Sequence, residues 1–336
     1  MNKLAASDPP DTATALDAAI RRLTKARVLV VGDAMLDRYI FGRVQRMSPE
    51  APVPVLTMVS EQDEPGGAGN VVHNLCALGA AVAFVSVVGD DAAGAELTGL
   101  IGGQPGVEPW LLVQGGRVTT VKTRYVAEGS RQGGQQLLRT DREDTRPVHP
   151  KLAERLMRIA RDAMAATSLV VLSDYRKGVL AGAVPALLIA AAHAAGRRVV
   201  VDMRAGDFAR YASADVLVAH RADLDGEAEG DAAIAEAAQA VRATHGIGAV
   251  LVKRGEEGLS LVDAEGAAHF RLEPARVVDL SGAGDAAVAT LAAGMAAGLT
   301  VRLAALLANA AAGVVGAQPG TCVVRGEGLR GWVGRT

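Results

Sequence analysis

Only two of the 336 residues are cysteine, Cys76 and Cys322, and they stand far apart with neither in a CxxC pair. That disfavours both a disulfide scaffold and a zinc ribbon. Aromatic side chains make up 3% of a chain that is 50% hydrophobic, so the core must be built from Ala, Val and Leu. An excess of one charge is missing too. The 35 Lys and Arg against 37 Asp and Glu leave a formal net charge of -2, which provides no global basic field for nucleic acid. Long apolar runs are also lacking despite a mean hydropathy of +0.21. The longest uncharged stretches, about 178–196 and 303–324, are interrupted by Pro185 and His193 and by Asn309, Gln318 and Pro319. Neither supplies the roughly 20 strongly apolar residues of a spanning helix. Asp8, Asp11 and Asp17 precede any apolar run, so no secretory signal is visible. A reduced, cytoplasmic, soluble protein without nucleic-acid or membrane partners is expected.

What the chain does have is 39 Gly, 21% charged residues and a repeated texture. Short β-branched runs without polar alternation occur at 27–33, 81–88, 168–173, 197–202, 215–218 and 248–252, as in strands buried on both faces of a parallel sheet. Segments of helical period lie between them, for example 151–166 and 181–195. The alternation predicts a doubly wound α/β sheet. Residues 38–59 and 117–141 break it: the first holds three prolines, and the second reads as two strands around a Gly-rich turn. They are expected to form a small separate sheet, a lid over the carboxyl edge of the main one; irregular surface loops are the alternative. The length allows two domains or one domain with an insertion.

The most informative segment is VVDLSGAGDAAVATLAAGM, residues 277–295. A turn of small residues, Ser281 to Gly284, opens a long apolar helix, and a helix N-terminus offers unpaired N–H groups and a partial positive charge to an anion. Asp285, in the first turn, is placed to take a proton from a hydroxyl that attacks a phosphate, unless it only complements the dipole. Neither GxxxxGK[ST] nor GxGxxG is present, which disfavours a Walker-type nucleotidase and a nicotinamide enzyme. A second cluster, Gly66-Gly67-Ala68-Gly69-Asn70, lets backbone approach a ligand, with Asn70 free to bond hydroxyls or simply to cap a helix. Asp33 ends the first strand, where a diol acceptor would sit; Asp37, read as one helical turn on, is ambiguous. SDYRKG brings Asp174 and Lys177 to the same edge. Lys122, Arg124 and Arg139 fall in the lid, Lys122 and Arg124 on one face of their strand, to meet a substrate phosphate or to stay solvated.

Together, GGAGNVVHNLCALG (66–79) and DLSGAGDAAVATLAAG (279–294) resemble the ribokinase-like (PfkB) carbohydrate kinases over about residues 27–324. The resemblance implies a three-layer α/β/α fold with a mostly parallel central sheet and a β lid. It also implies ATP and Mg²⁺, an anion hole at Gly282, Ala283 and Gly284, and Asp285 as catalytic base. GDAMLDRYIFGRVQRMSPEAPVPV, LSDYRKGVL, QQLLRTD and NAAAGVVGAQPGTCVV (309–324) are similar to the subgroup that phosphorylates O1 of D-glycero-β-D-manno-heptose 7-phosphate, on the way to ADP-heptose and lipopolysaccharide core. The resemblance is to its stand-alone form, and a single kinase domain over 1–336 without a nucleotidyltransferase domain is expected. That implies Asp33, Gly66, Gly67, Asn70, Lys122, Arg124, Arg139, Asp174 and Lys177 around the sugar. His220, Lys253, Gly255, Gly258, Asn309 and Gly313 lie around the nucleotide, with Asp223 acting indirectly on the metal. It further implies a homodimer through the lid, with Val53, Val55 and Leu56 as apolar contacts. Three departures stand out: His220-Arg221-Ala222-Asp223 where the family shows Asn-x-x-Glu, Lys253 for a threonine, and Met203-Arg204 within a VDPK-like stretch. Residues 127–134 lengthen the lid turn. Alternatives are a kinase for another phosphosugar or a nucleoside, or a homologue that binds sugar phosphate without catalysis.

Overall fold

A strand buried on both faces must feed two cores at once. In β1 (Arg27–Gly32), Val28 and Val30 enter one hydrophobic cluster while Leu29 and Val31 enter another. The computed structural model describes residues 12–128, 134–204, 207–224, 228–272 and 277–334. Its large sheet runs in the order β13 (Gly266–Phe270), β12 (Leu259–Asp263), β11 (Ala249–Lys253), β10 (Val216–His220), β9 (Arg198–Asp202), β8 (Leu169–Ser173), β1, β4 (Ala81–Gly89), β5 (Val107–Gln114). All neighbours from β11 to β5 are parallel; only β12 and β13 are antiparallel.

Helices cover both faces. Helices α2 (Ala68–Ala77), α3 (Ala92–Gly102), α7 (Ala283–Ala296), α8 (Val301–Gly316) and α9 (Gly326–Val333), with α1 (Thr12–Arg22), bury their apolar residues in the first cluster. Helices α4 (Pro150–Met164), α5 (Val184–Ala194) and α6 (Gly230–His245) bury theirs in the second. The expected three layers are therefore present, and the six strands read from β-branched runs all lie in the large sheet. Strand β5 and the β12–β13 hairpin were not among them. The edge strand β5 leaves Trp110 and Val113 exposed, Ser260 interrupts β12, and β13 is exposed or half-buried along its length, so none carries an uninterrupted apolar run.

The lid is a second sheet, in the order β3 (Pro54–Gly67), β2 (Ala34–Met47), β6 (Val121–Ala127), β7 (Gln135–Arg142). Its first half is wider than 38–59: β2 starts two residues after β1 ends, so Asp37 lies on a strand, not one helical turn on. Gly66 and Gly67 close β3 by pairing with Met35 and Ala34. The lengthened turn at 127–134 falls mostly on residues 129–133, outside the described residues. Among the described residues no helix is long and apolar enough to cross a membrane.

Candidate functional site

From β1 the parallel sheet grows outward in both directions, through β4 and through β8, and such a switch point opens a crevice at the carboxyl edge. Asp33 stands there, but its carboxylate faces the protein. It accepts the backbone N–H groups of Tyr175 (2.9 Å), Lys177 (3.0 Å) and Val179 (3.0 Å) and is 1% exposed. Burial raises its pKa to about 6, against the pull of those three bonds. The position read as a diol acceptor is thus one that shapes the loop after β8. Asp174 in that loop is also buried, accepting the Tyr211 hydroxyl at 2.6 Å and the Arg176 N–H at 2.8 Å. It too anchors the loop.

Helix α7 starts from Gly282, whose φ of 77° admits glycine with least strain and whose Cβ, if present, would stand 3.0 Å from Asn70 Nδ2. The N–H of Ala283 donates to Leu280 O at 3.1 Å, which removes one of the three amides expected to face an anion. Gly284 and Asp285 supply first-turn N–H groups with no acceptor inside the helix. The Asp285 carboxylate, 8% exposed, accepts from Asn70 Nδ2 at 2.8 Å and from the Tyr175 hydroxyl at 2.5 Å. Burial raises its pKa and the Asp202 charge adds to this, while Tyr175, Arg204 and Asn70 oppose the rise. Asn70 is braced by Asn74, which donates to its carbonyl (2.9 Å) and its side-chain oxygen (3.1 Å) and accepts the Val324 N–H at 2.9 Å. Sequence reasoning passed over both Tyr175 and Asn74. Two asparagines four apart in an apolar helix were the available signal for the latter.

On the other side of the α7 turn lies a cleft lined by His220, Lys253, Gly258, Leu272, Leu280 and Gly284. Lys253 Nζ sits 2.5 Å from Asp202 Oδ1 and 3.7 Å from where a Gly284 Cβ would be. Asp202 Oδ2 is buried without a partner. The His220 ring contacts the Arg204 guanidinium, and burial, then Lys253 and Arg204, press its pKa down to about 4. It is therefore neutral at pH 7. Asp223 turns back to accept the His220 N–H at 2.8 Å. Asn309 donates to Arg271 O at 3.0 Å and leaves its own Oδ1 buried and unpartnered beside Gly258. Gly255 lines the same cleft. Gly313 does not: a Cβ there would lie 2.4 Å from the Trp332 ring, so it packs under α9.

The lid cations expected to be free for phosphate already have partners. Lys122 (2.9 Å) and Arg139 (2.8 Å) share Asp141, Arg124 pairs with Asp37 at 2.7 Å, and Lys177 pairs with Glu143 at 2.7 Å. Strand pairing sets Asp37 beside Lys122 and Arg124 beside Arg139, as alternation required. Tyr39 of the same face reaches across to Thr321, hydroxyl to hydroxyl at 2.6 Å, so the lid is tied to the segment beyond α8. Gly66 belongs to this surface, since a Cβ there would meet Asp37 Oδ2 at 2.4 Å. Among the described residues no three His, Cys, Asp or Glu converge on a metal position.

The pfkB family carbohydrate kinase model matches residues 25–325. The chain is 57% identical over 319 residues to the bifunctional protein HldE of Acidiphilium cryptum, covering 94% of this chain and 64% of that protein. With the HldE of Paramagnetospirillum magneticum it shares 46% over 324 residues, 94% of this chain and 65% of that one. It thus spans less than two thirds of the length of these relatives. Among solved structures, phosphofructokinase-2 from Escherichia coli superposes with a TM-score of 0.74 at 19% identity, over 92% of this chain and 99% of that one. Ribokinase from Arabidopsis thaliana gives 0.70 at 21%, over 92% and 98%. Both share the fold.

Proposed function

This chain belongs to the pfkB family of carbohydrate kinases and is a phosphotransferase acting on a sugar hydroxyl; on that premise we propose that it uses ATP to phosphorylate O1 of D-glycero-β-D-manno-heptose 7-phosphate. The product would be the 1,7-bisphosphate, toward ADP-heptose for lipopolysaccharide core. One observation carries the chemistry: a buried carboxylate, Asp285, in the first turn of α7 and held from two sides. The likeness to HldE supports the heptose.

In this reading Asp285 takes the proton of the O1 hydroxyl while that oxygen attacks the γ-phosphorus and the bond to the ADP oxygen breaks. The N–H groups of Gly284 and Asp285 face the charge on the transferring group. The apolar walls of Leu272 and Leu280 beside Gly258 suit a flat base. Hard carboxylate oxygens without a three-ligand cluster fit Mg²⁺, which needs one or two carboxylates besides phosphates; Asp223 would act on it indirectly, and when bound it would neutralise phosphate charge. Asn70, Gly66 and Gly67 border the sugar. Its 7-phosphate would draw Lys122 and Arg139 from Asp141, a face with three cations (Lys122, Arg124, Arg139) and two carboxylates (Asp37, Asp141), net +1. Met47, Val53, Met58 and Leu138, all exposed on the lid, support pairing with a second copy in the cytoplasm.

Coupled ADP release tests the assignment across a panel of sugars. Heptose 7-phosphate should be turned over far faster than ribose, fructose 6-phosphate or adenosine; equal turnover of any of these overturns the substrate. The Lys253–Asp202 pair beside the phosphate turn favours a second reading, binding without catalysis, which calorimetric binding of heptose 7-phosphate with no ADP release would support.

A further inference from the structure

Both oxygens of Asp285 are occupied, Oδ2 by Asn70 and Oδ1 by Tyr175. Tyr175 places its hydroxyl 2.5 Å from Oδ1. Arg204 lies over its ring, with Cζ 4.7 Å from the centroid, and donates to the phenol oxygen at 3.1 Å. Arginine has no acceptor, so the direction of this chain is fixed: guanidinium N–H to phenol oxygen, phenol O–H to carboxylate. A phenol that accepts from a cation is a stronger donor. Its support is rigid as well, because the Tyr175 N–H ends on Asp33, which also holds Lys177 and Val179. The other groups facing this corner are Asn70 on α2, Asp202 on β9 with its Lys253 partner on β11, and His220 on β10 against Arg204.

We propose that Tyr175 is the positioning residue of the base: polarised by Arg204, its hydroxyl holds Asp285 ionised and aimed at the acceptor hydroxyl. The inference rests on the reading of Asp285 as base. Burial drives the Tyr175 phenol well above its ordinary pKa and the nearby Asp285 charge adds to this, so it stays a donor. Of the groups that counter the burial of Asp285, Tyr175 is the foremost.

The test is Tyr175→Phe, which keeps the ring under Arg204 and removes one oxygen. Carboxyl carbon-13 NMR of the free protein follows Asp285, identified by the resonance lost in Asp285→Asn. In Y175F its midpoint should rise by about one pH unit, the size set by loss of a strong hydrogen bond to a charge. The acid limb of kcat/KM should move up with it, and kcat should fall about tenfold with KM for sugar nearly unchanged. A midpoint and acid limb that coincide with wild type overturn the proposal. If Y175F does not fold, Arg204→Lys, which keeps the charge and loses the planar donor, should move the midpoint the same way; an unmoved midpoint there overturns it equally. An active D285N would instead defeat the base assignment, while the NMR midpoints would still decide whether Tyr175 holds the carboxylate.

Discussion

The two sides of the α7 turn are built on different principles. On the sugar side, Asp33, Asn70, Asn74, Tyr175 and Asp285 interlock, each side chain bonded to another or to backbone. On the nucleotide side the walls are apolar, and the charged pair beneath them, Lys253 and Asp202, leaves one carboxylate oxygen without a partner. On the proposed function, the first side would fix angles for a proton transfer and the second would offer a slot whose fit comes from shape, with the Lys253 ammonium close to the turn that opens α7.

The sharpest way to break this contrast is Asp285→Asn. Turnover should fall by about 10²- to 10⁴-fold, the range for removal of a general base, with the fold retained in circular dichroism; near-normal turnover ends the base assignment. Next in size is Lys253→Met, which strands Asp202 as a buried charge. Urea denaturation should show a loss of about 3–5 kcal/mol, and the double variant with Asp202→Asn should recover much of it. If it does not, the pair is not the weak point of that side. Asp33→Asn should cost about 1–3 kcal/mol, because the amide leaves a backbone N–H of the 175–179 loop without an acceptor. It should also lower turnover by moving Tyr175.

Smaller effects sharpen the picture. His220 binds its proton only near pH 4 when folded, against 6.5 ordinarily, so the unfolded chain takes up a proton across that window that the folded one refuses. The His220 contribution to stability therefore falls on acidification from pH 6.5 to 4, by about 1 kcal/mol after solvent screening, while Asp33, whose folded pKa is raised to about 6, shifts stability the other way below pH 6. His220→Gln should lose correspondingly less over the same range in parallel denaturation curves. Arg139→Ala, at a half-exposed ion pair, should change stability by about 0.5 kcal/mol. Its expected mark is a KM for phosphorylated sugar raised about tenfold, with no such change for an unphosphorylated one.

Much of this was readable one segment at a time. The small-residue turn before an apolar helix sets Asp285 at a helix start by local geometry alone, and alternation along β6 puts Lys122 and Arg124 on one face wherever the strand packs. The partners of Asp33 were not legible because they are amides more than 140 residues on, and a carboxylate at a strand end looks the same with or without them. The packing of Gly313 was not legible because Trp332, which fills the space above it, belongs to another helix.

The sequence by itself determined the layered fold, since buried β-branched runs and apolar helices have only one economical way to hide both strand faces, and it placed Asp285 in the first turn of an apolar helix. Only the tertiary structure decided what each charge is bonded to. Lid cations were drawn to Asp37 and Asp141, Lys177 to Glu143 and Tyr175 to Asp285, because a half-buried charge takes a partner from whatever element folding brings within about 3 Å, and that distance is written in no single stretch of chain.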